Sequence, residues 1–371
     1  MARPWFVIAG GGTGGHLYPG LAVAQAIQNV QPDFEVTVFG TRRPIDHKLV
    51  SACAYELVQQ SVQPFPAKFW RWPKFLLSWQ QSVRAARGRF SERKPVAVLG
   101  LGGYAAGPPI VAAAKLGIPT ALFNPDALPG RANRNLAPKV HCVFVQWHET
   151  VEHFPKVHEI KVTGCPIRPE FAAATRKAGS RAFKIDEDRP TLLITGASQG
   201  ARSINAACME MFDLWRVASQ WQIIHLTGEA DLETCRAKYK EAGVEARTLA
   251  YTDHMALAMA SADIVVSRAG ASTLAEITAM GIPAVLVPYP FDKKQHQLAN
   301  AKILEESRAA LVVQDKNNPK DNARRLRDAL RDLMKSDLRR SKMAQASAAL
   351  GRTHAAEDIA SELIELAKRR T

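Results

Sequence analysis

Two doubly wound α/β domains are predicted by three features of the sequence. Short β-branched or apolar runs alternate with longer helical patterns along the chain, the signature of a parallel sheet covered on both faces. A glycine-rich turn, Gly10-Gly11-Gly12-Thr13-Gly14-Gly15-His16, follows the first run, and a second small-residue turn, Gly196-Ala197-Ser198-Gln199-Gly200-Ala201-Arg202, follows a later one. Each half thus opens with strand, turn and helix. The 371 residues suffice for two cores of ordinary size. Both halves are therefore expected to be Rossmann-like.

In chain order, residues 5–9 read as the first strand. The glycines after it let the backbone take positive φ and approach a ligand closely, and the N–H groups of the following helix start favour an anion, phosphate first. Gly10, Gly12 and Gly15 also satisfy the dinucleotide fingerprint G-x-G-x-x-G. The second strand, 36–39, runs into Gly40-Thr41-Arg42-Arg43 rather than into the acidic residue that an NAD ribose requires. The arginines suit a 2′-phosphate, so an NADP-dependent oxidoreductase is one reading.

Strands at 96–100, 120–123 and 142–145 continue the first domain, and a charged, Ala-rich stretch at 175–189 precedes a second series at 191–195, 222–226, 264–267 and 284–287. The last segment, 355–370, sets Ile359, Leu363, Ile364 and Leu366 at helical spacing and ends in basic residues. Ligands of open α/β sheets bind beyond the carboxyl ends of the strands, so two such domains facing each other would enclose a cleft between their loops.

Composition narrows the classes further. A hydrophobic share of 47% and a charged share of 23% exclude a disordered chain, and the net charge of +14 points to a polyanionic partner or an anionic surface. The five cysteines are widely spaced and never paired as C-x-x-C, so neither a disulfide framework nor a zinc site is suggested, and a reducing cytosol fits. No apolar run approaches the length of a bilayer span, and the first is broken by Gly10 too early for a signal peptide. Membrane contact is therefore expected to be peripheral.

One stretch, 65–94, departs from the α/β pattern. It concentrates Phe65, Phe69, Trp70, Trp72, Phe75 and Trp79 among Lys68, Arg71 and Lys74, and then supplies Arg84, Arg87, Arg89, Arg93 and Lys94. Aromatics among cations suit the interface of an anionic bilayer, where each cation contributes about 1 kcal/mol. An ordinary helix burying its tryptophans against the sheet fits the same residues. Single-stranded nucleic acid would use similar residues, but no nucleic-acid motif accompanies them, and no nucleic-acid partner is expected.

The second half carries Ser267-Arg268-Ala269-Gly270-Ala271-Ser272-Thr273-Leu274-Ala275-Glu276. A strand ends, small residues turn, Ser272 or Thr273 caps a helix, and Glu276 lies in its first turn. Loop amides and a helix start can hold phosphate oxygens, while a carboxylate one turn on can accept both hydroxyls of a ribose. The alternative is a plain capping box of Thr273 and Glu276. Further on, His296, Gln297 and Asn300 cluster at a helix start as neutral donors and acceptors, suited to sugar hydroxyls rather than to a metal.

The segments 11–24, 100–108, 164–168, 196–202, 267–276 and 288–301 together resemble the MurG family, bacterial transferases that add N-acetylglucosamine to the membrane-borne peptidoglycan precursor. They span nearly the whole chain. The resemblance implies a fold of the GT-B type, with an acceptor- and membrane-facing domain of residues 1–168 plus a returning helix at 352–371, and a donor domain of residues 169–351. It implies UDP-N-acetylglucosamine as donor, a polyprenyl-diphosphate-linked muramyl-peptide as acceptor, and a peripheral location on the cytoplasmic face of the plasma membrane.

Carried onto this chain, the resemblance sets Ser198 and Gln199 near the donor diphosphate, Thr252 near uracil, Ala271, Ser272, Thr273 and Leu274 around the phosphates, and Glu276 on the ribose. His296, Gln297 and Asn300 would face the sugar, with Arg168 near the cleft. Thr13, Gly14, Gly15 and Tyr104 would border the donor sugar and the acceptor diphosphate. No tightly bound cofactor is implied. No Asp-x-Asp metal motif stands out, so amides and a helix dipole are expected to stabilise the leaving diphosphate, and a freely exchanging divalent metal has no ligand motif of its own.

One segment departs from the family pattern: where His-Glu-x-Asn is usual, this chain has Phe123-Asn124-Pro125-Asp126. Inverting transfer requires a base for the acceptor C4 hydroxyl and an anion site for the leaving diphosphate. His16 is the first candidate for the base or for the anion contact, with a structural cap of the glycine turn as its alternative, and Asp126 is the second candidate. Competing readings keep the fold but change the acceptor to another glycolipid, or the reaction to a UDP-N-acetylglucosamine 2-epimerase. A non-catalytic membrane-binding module is the remaining alternative.

Overall fold

The computed structural model describes residues 3–66, 68–196, 200–211 and 220–369. The chain divides into two compact units, Met1–Arg168 with Arg352–Thr371, and Pro169–Gly351.

The first unit holds a parallel sheet in the order β3-β2-β1-β4-β5-β6-β7. Its strands are β1 (Trp5–Ala9), β2 (Glu35–Gly40), β3 (Glu56–Gln59), β4 (Ala97–Gly100), β5 (Thr120–Asn124), β6 (Cys142–Val145) and β7 (Ile160–Val162). The second sheet runs β10-β9-β8-β11-β12-β13, again all parallel. It contains β8 (Thr191–Thr195), β9 (Gln222–Leu226), β10 (Ala246–Leu249), β11 (Ile264–Ser267), β12 (Ala284–Leu286) and β13 (Ala310–Val312). Both are doubly wound Rossmann-like sheets, as the alternation of runs predicts.

The strands that the sequence pattern does not reveal are β3, β7, β10 and β13, and these are the four edges of the two sheets. Central strands are buried on both faces and read as continuous apolar runs. Edge strands are short and partly exposed: Glu56 to Gln59 is polar at both ends and nowhere fully buried.

In each sheet the order of strands reverses beside the first strand, between β1 and β4 and between β8 and β11. At such a switch point the neighbouring loops diverge to opposite faces and leave a crevice at the carboxyl edge. The 10–16 turn and the loop after β4 flank the first crevice; Gly196 and Gly200 after β8 and the loop after β11 flank the second.

The core of the first unit centres on Trp5, Val7, Phe39, Phe90, Val98 and Leu122, and that of the second on Leu192, Ile194, Ile223, Ile264, Val266 and Leu330. The helix Ala355–Lys368 lies in the first unit, against the helix Gly14–Val30, and buries Ile359, Leu363, Ile364 and Leu366. An ion cluster of Lys161 with Glu159 and Glu362 fastens this helix to β7.

Candidate active site

In the first unit the glycine turn is held by a residue that sequence reasoning missed. The Asp46 carboxylate, fully buried in the first turn of the helix Pro44–Ala52, accepts from Gly12 N at 2.8 and 3.0 Å and from Thr41 N and Oγ1 at 2.7 and 2.8 Å. Gly11 has φ 153°. A Cβ there would lie 2.1 Å from Asp46 Oδ2, so no other residue fits. Arg43 Nη1 donates to the Gly12 carbonyl at 2.9 Å from the other side.

The helix Gly14–Val30 begins directly after this clamp with Thr13 as its N-cap. Thr13 Oγ1 and His16 Nδ1 are 2.8 Å apart. A Cβ on Gly103 would come within 3.8 Å of His16 Nε2, and one on Gly12 within 3.6 Å of the Tyr104 hydroxyl. The loop after β5 brings Asp126 into electrostatic contact with the same imidazole. Burial pushes the His16 pKa below its ordinary 6.5, and the Asp126 and Asp46 charges oppose that shift. The guanidinium of Arg168 stacks 4.7 Å over the Tyr18 ring. Thr13, Gly14, Gly15, His16, Tyr104 and Asp126 thus gather at the carboxyl ends of β1, β4 and β5.

Beneath the departing segment 123–126, Asn133 Nδ2 donates to Phe123 O at 3.2 Å and to Asn124 Oδ1 at 3.0 Å. Asn124 in turn donates to the Asp126 carbonyl at 2.6 Å. Asn124 is buried, so Asp126 is the acidic side chain that this segment presents near His16.

The second unit has a cavity of about 550 Å³ at its switch point. It is lined by Gly196, Gly200, Arg202 and Ser203 after β8, by Arg268, Gly270 and Thr273 after β11, by Tyr289, Phe291 and Gln297, and by Asn317 and Asn322. Gly200 has φ 74°, and a Cβ there would stand 2.0 Å from the Thr227 carbonyl, so the turn can close only with glycine. Ser198 and Gln199 lie outside the described residues.

Arg268 is a second residue that sequence reasoning missed, although it directly follows a strand end. It donates from Nη1 to the Val287 and Pro288 carbonyls at 3.0 and 3.2 Å, and from Nη2 to Ser203 Oγ at 2.8 Å. Its ion-pair partner is Asp315 at 3.1 Å. Burial would raise the Asp315 pKa, yet hydrogen bonds from Ser203, the Asn317 amide, Asn322 and Arg268 outweigh it and hold the carboxyl below its ordinary value.

One expectation for this domain is corrected. The helix Ala271–Ala279 is capped by Gly270, not by Ser272 or Thr273, which lie in its first turn; the Thr273–Glu276 capping box is therefore not formed. Leu274 is fully buried and its amide donates to the Gly270 carbonyl, so this residue packs the helix. The cap differs because Gly270 already takes the extended backbone of a cap, so the helix starts before the hydroxyls.

Of the other predicted residues, Thr273 and Gln297 line the cavity, and Ala271, Ser272, Glu276 and His296 lie on the two helices beside it. Gln297 Oε1 accepts from Ala269 N at 3.3 Å and Tyr289 N at 3.0 Å, tying the loops after β11 and β12 together. Asn300 is fully buried and donates to the Ala269 carbonyl at 3.2 Å. Thr252 lies after β10, is not among the cavity-lining residues, and accepts from His254 N at 3.0 Å. Buried His225 has both ring nitrogens engaged, by Tyr239 and Asn205, and is pushed down to about 3 by burial, which makes it a neutral structural group.

The aromatic–basic stretch divides between the two readings. The helix Trp72–Glu92 buries Phe75, Ser78, Ser82, Ala86 and Phe90, and Trp79 packs onto Gly107 so closely that a Cβ there would lie 2.2 Å from the ring. Its first turns and the preceding loop instead expose Phe65, Phe69 (78%), Trp70, Leu76 and Leu77 (60%), with Lys68 5.1 Å over the Trp70 ring. Arg89 and Arg93 turn to the sheet, pairing with Glu56 and Glu35 and stacking on Trp5. The exposed patch is thus narrower than 65–94.

Among the described residues no helix is long and apolar enough to cross a membrane, and no cluster of three or more His, Cys, Asp or Glu could hold a metal ion.

Two family models match the chain. The glycosyltransferase family 28 N-terminal domain matches residues 6–145, and the family 28 C-terminal domain matches residues 191–363. The chain is 37% identical over 369 residues to the UDP-N-acetylglucosamine–N-acetylmuramyl-(pentapeptide) pyrophosphoryl-undecaprenol N-acetylglucosamine transferase of Desulfitobacterium hafniense, covering 97% of this chain and 99% of that one. The enzyme of the same name from Desulforamulus reducens is 35% identical, with 95% and 96% covered. The crystal structure of Acinetobacter baumannii MurG superposes with a TM-score of 0.76 at 24% identity, covering 98% and 99%. The UDP-GlcNAc 2-epimerase of Neisseria meningitidis shares the fold, with a TM-score of 0.66 at 14% identity over 98% and 100%. The chain belongs to the MurG family of glycosyltransferases.

Proposed function

We propose that this protein transfers N-acetylglucosamine from UDP-N-acetylglucosamine to the C4 hydroxyl of a polyprenyl-diphosphate-linked N-acetylmuramyl-pentapeptide, with inversion at the anomeric carbon. The observation that carries the reading is whole-length identity of 37% to a transferase named for that reaction, in a chain whose two crevices each have the chemistry one substrate needs. The second unit binds the donor, its diphosphate against the 196–202 turn and the start of the helix Ala271–Ala279, where amides and the helix dipole stabilise the departing charge. Glu276 accepts the ribose hydroxyls. Gln297 and Asn300 act through the loops they brace, while Thr273 faces the phosphates and His296 the transferred sugar.

The first unit binds the acceptor. Nδ1 of His16 pairs with Thr13 Oγ1; in the tautomer that donates Nδ1–H to this hydroxyl, neutral His16 carries its lone pair on Nε2 and takes the proton of the C4 hydroxyl. Asp126 stabilises the imidazolium that forms. Tyr104, Gly14 and Gly15 border the acceptor diphosphate. The patch of Phe65, Phe69, Trp70, Leu76 and Leu77 with Lys68 and Arg71 rests on an anionic bilayer surface at the cytoplasmic face of the plasma membrane, where the lipid-linked acceptor resides.

The test is direct. Radiolabelled UDP-N-acetylglucosamine is given to the purified protein with the muramyl-diphosphate-lipid acceptor, and label is expected in the lipid phase. Label remaining with the water-soluble fraction would defeat the reading. Transfer only to a different glycolipid would assign the altered 123–126 segment to acceptor choice.

A further inference from the structure

We propose that Asp46 is a positioning residue for the acceptor site: by gripping Gly12 from beneath it confines anion contact to the start of the helix Gly14–Val30, and it sets a fixed negative charge near His16. The inference rests on His16 as the base.

The glycine turn looks, in sequence, like a cradle of available amides. In the fold two of them are committed. Gly10 N donates to the Phe39 carbonyl at 3.0 Å, and Gly12 N donates to Asp46 at 2.8 Å. A buried carboxylate at that amide repels a second anion from the same place. The dinucleotide geometry that the G-x-G-x-x-G spacing suggests is thereby disfavoured at Gly11 and Gly12. Anionic ligand is directed instead to Thr13, Gly14 and Gly15, where the helix dipole is favourable.

The clamp is closed on every side. Thr41 satisfies the second carboxylate oxygen through both its amide and its hydroxyl, Arg43 holds the Gly12 carbonyl, and a side chain at Gly11 would overlap Asp46 Oδ2. Because His16 follows this turn by less than two helical turns, the register of its imidazole is inherited from the clamp. The charges that act on the imidazole are Asp126 from the loop after β5 and Asp46 from the helix Pro44–Ala52, while Arg43 and Tyr104, from the helix Gly103–Lys115, flank Gly12 beside it. Both carboxylates favour protonated His16, against burial.

The test uses the full chain with Asp46→Asn and Asp46→Glu, and transfer to the muramyl-diphosphate-lipid acceptor as a function of pH. Asp46→Asn is expected to lower kcat by at least about tenfold. It should leave KM for UDP-N-acetylglucosamine within about twofold and move the acid limb of the acceptor kcat/KM profile to lower pH, with Asp46→Glu restoring most of the rate. In a His16→Ala background the same substitution should no longer move that limb. A folded Asp46→Asn with unchanged kcat and unchanged limb overturns the proposal. Hydrogen exchange on the wild type gives a readout independent of activity and of variant folding: Gly12 N–H is expected to be strongly protected, and exchange at the rate of an open loop overturns the proposal. Absence of wild-type transfer would instead count against the acceptor assignment, with the Gly12 amide still deciding the clamp.

Discussion

Arg268 and Asp315 form an ion pair inside the second domain, Nη1 to Oδ2 at 3.1 Å, with the carboxylate fully buried. Through Ser203, Val287 and Pro288 the pair draws together loops that follow β8, β12 and β13, all on the rim of the second unit's cavity. Removing one partner leaves an uncompensated buried charge, which costs about 3–5 kcal/mol. Arg268→Ala is expected to lose stability on that order in urea unfolding and to raise KM for UDP-N-acetylglucosamine. An unchanged midpoint and KM would show the pair to be incidental.

Asp315 also sets a dependence on pH. Its carboxyl is held below the ordinary value of 3.8, so the folded state binds this proton less readily than the unfolded one. The resulting stability is present at neutral pH and is lost as pH falls through 3.8 and below. The gap in stability between wild type and Asp315→Asn should therefore narrow between pH 7 and pH 3; a gap independent of pH would contradict this.

Burial outweighs the neighbouring carboxylates at His16, so the acid limb of acceptor kcat/KM is expected below 6.5. His16→Ala should lower kcat by about 10²–10⁴, the range of a lost general base. Asp126→Asn removes the larger of the two opposing charges and should move the limb further down while retaining measurable transfer. If Asp126→Asn abolishes transfer and His16→Ala does not, the base is Asp126.

Two glycines give opposite expectations. Gly88 lies within the helix Trp72–Glu92, and a Cβ added there would meet no atom within 4 Å, so Gly88→Ala should stabilise by about 0.5–1 kcal/mol through helix propensity. Gly200→Ala forces a side chain against the Thr227 carbonyl and should weaken UDP binding, read by calorimetry. Equal effects of the two substitutions would contradict the close approach at Gly200.

For the exposed patch, Phe69→Ser with Leu77→Ser should reduce sedimentation with vesicles containing anionic lipid while leaving transfer to a short-chain, water-soluble acceptor analogue intact. Unchanged sedimentation would assign membrane contact elsewhere.

The alternation of apolar runs, the two small-residue turns and the helical spacing of residues 355–370 are properties of neighbours in the chain, and they suffice for two doubly wound domains and for the location of both crevices. Edge strands escape because partial exposure removes the apolar signal, and the true cap at Gly270 escapes because a glycine cap carries no side-chain signature. The tertiary structure decides which groups support the turns. Asp46 on Gly12 and Arg268 on Asp315 join residues 34 and 47 positions apart, and Asp126 reaches His16 from a different strand. A buried charge declares itself only when the chain around it has closed and removed the water, so no local pattern announces it. Gly12 therefore reads as an available amide in the sequence and is a committed one in the fold.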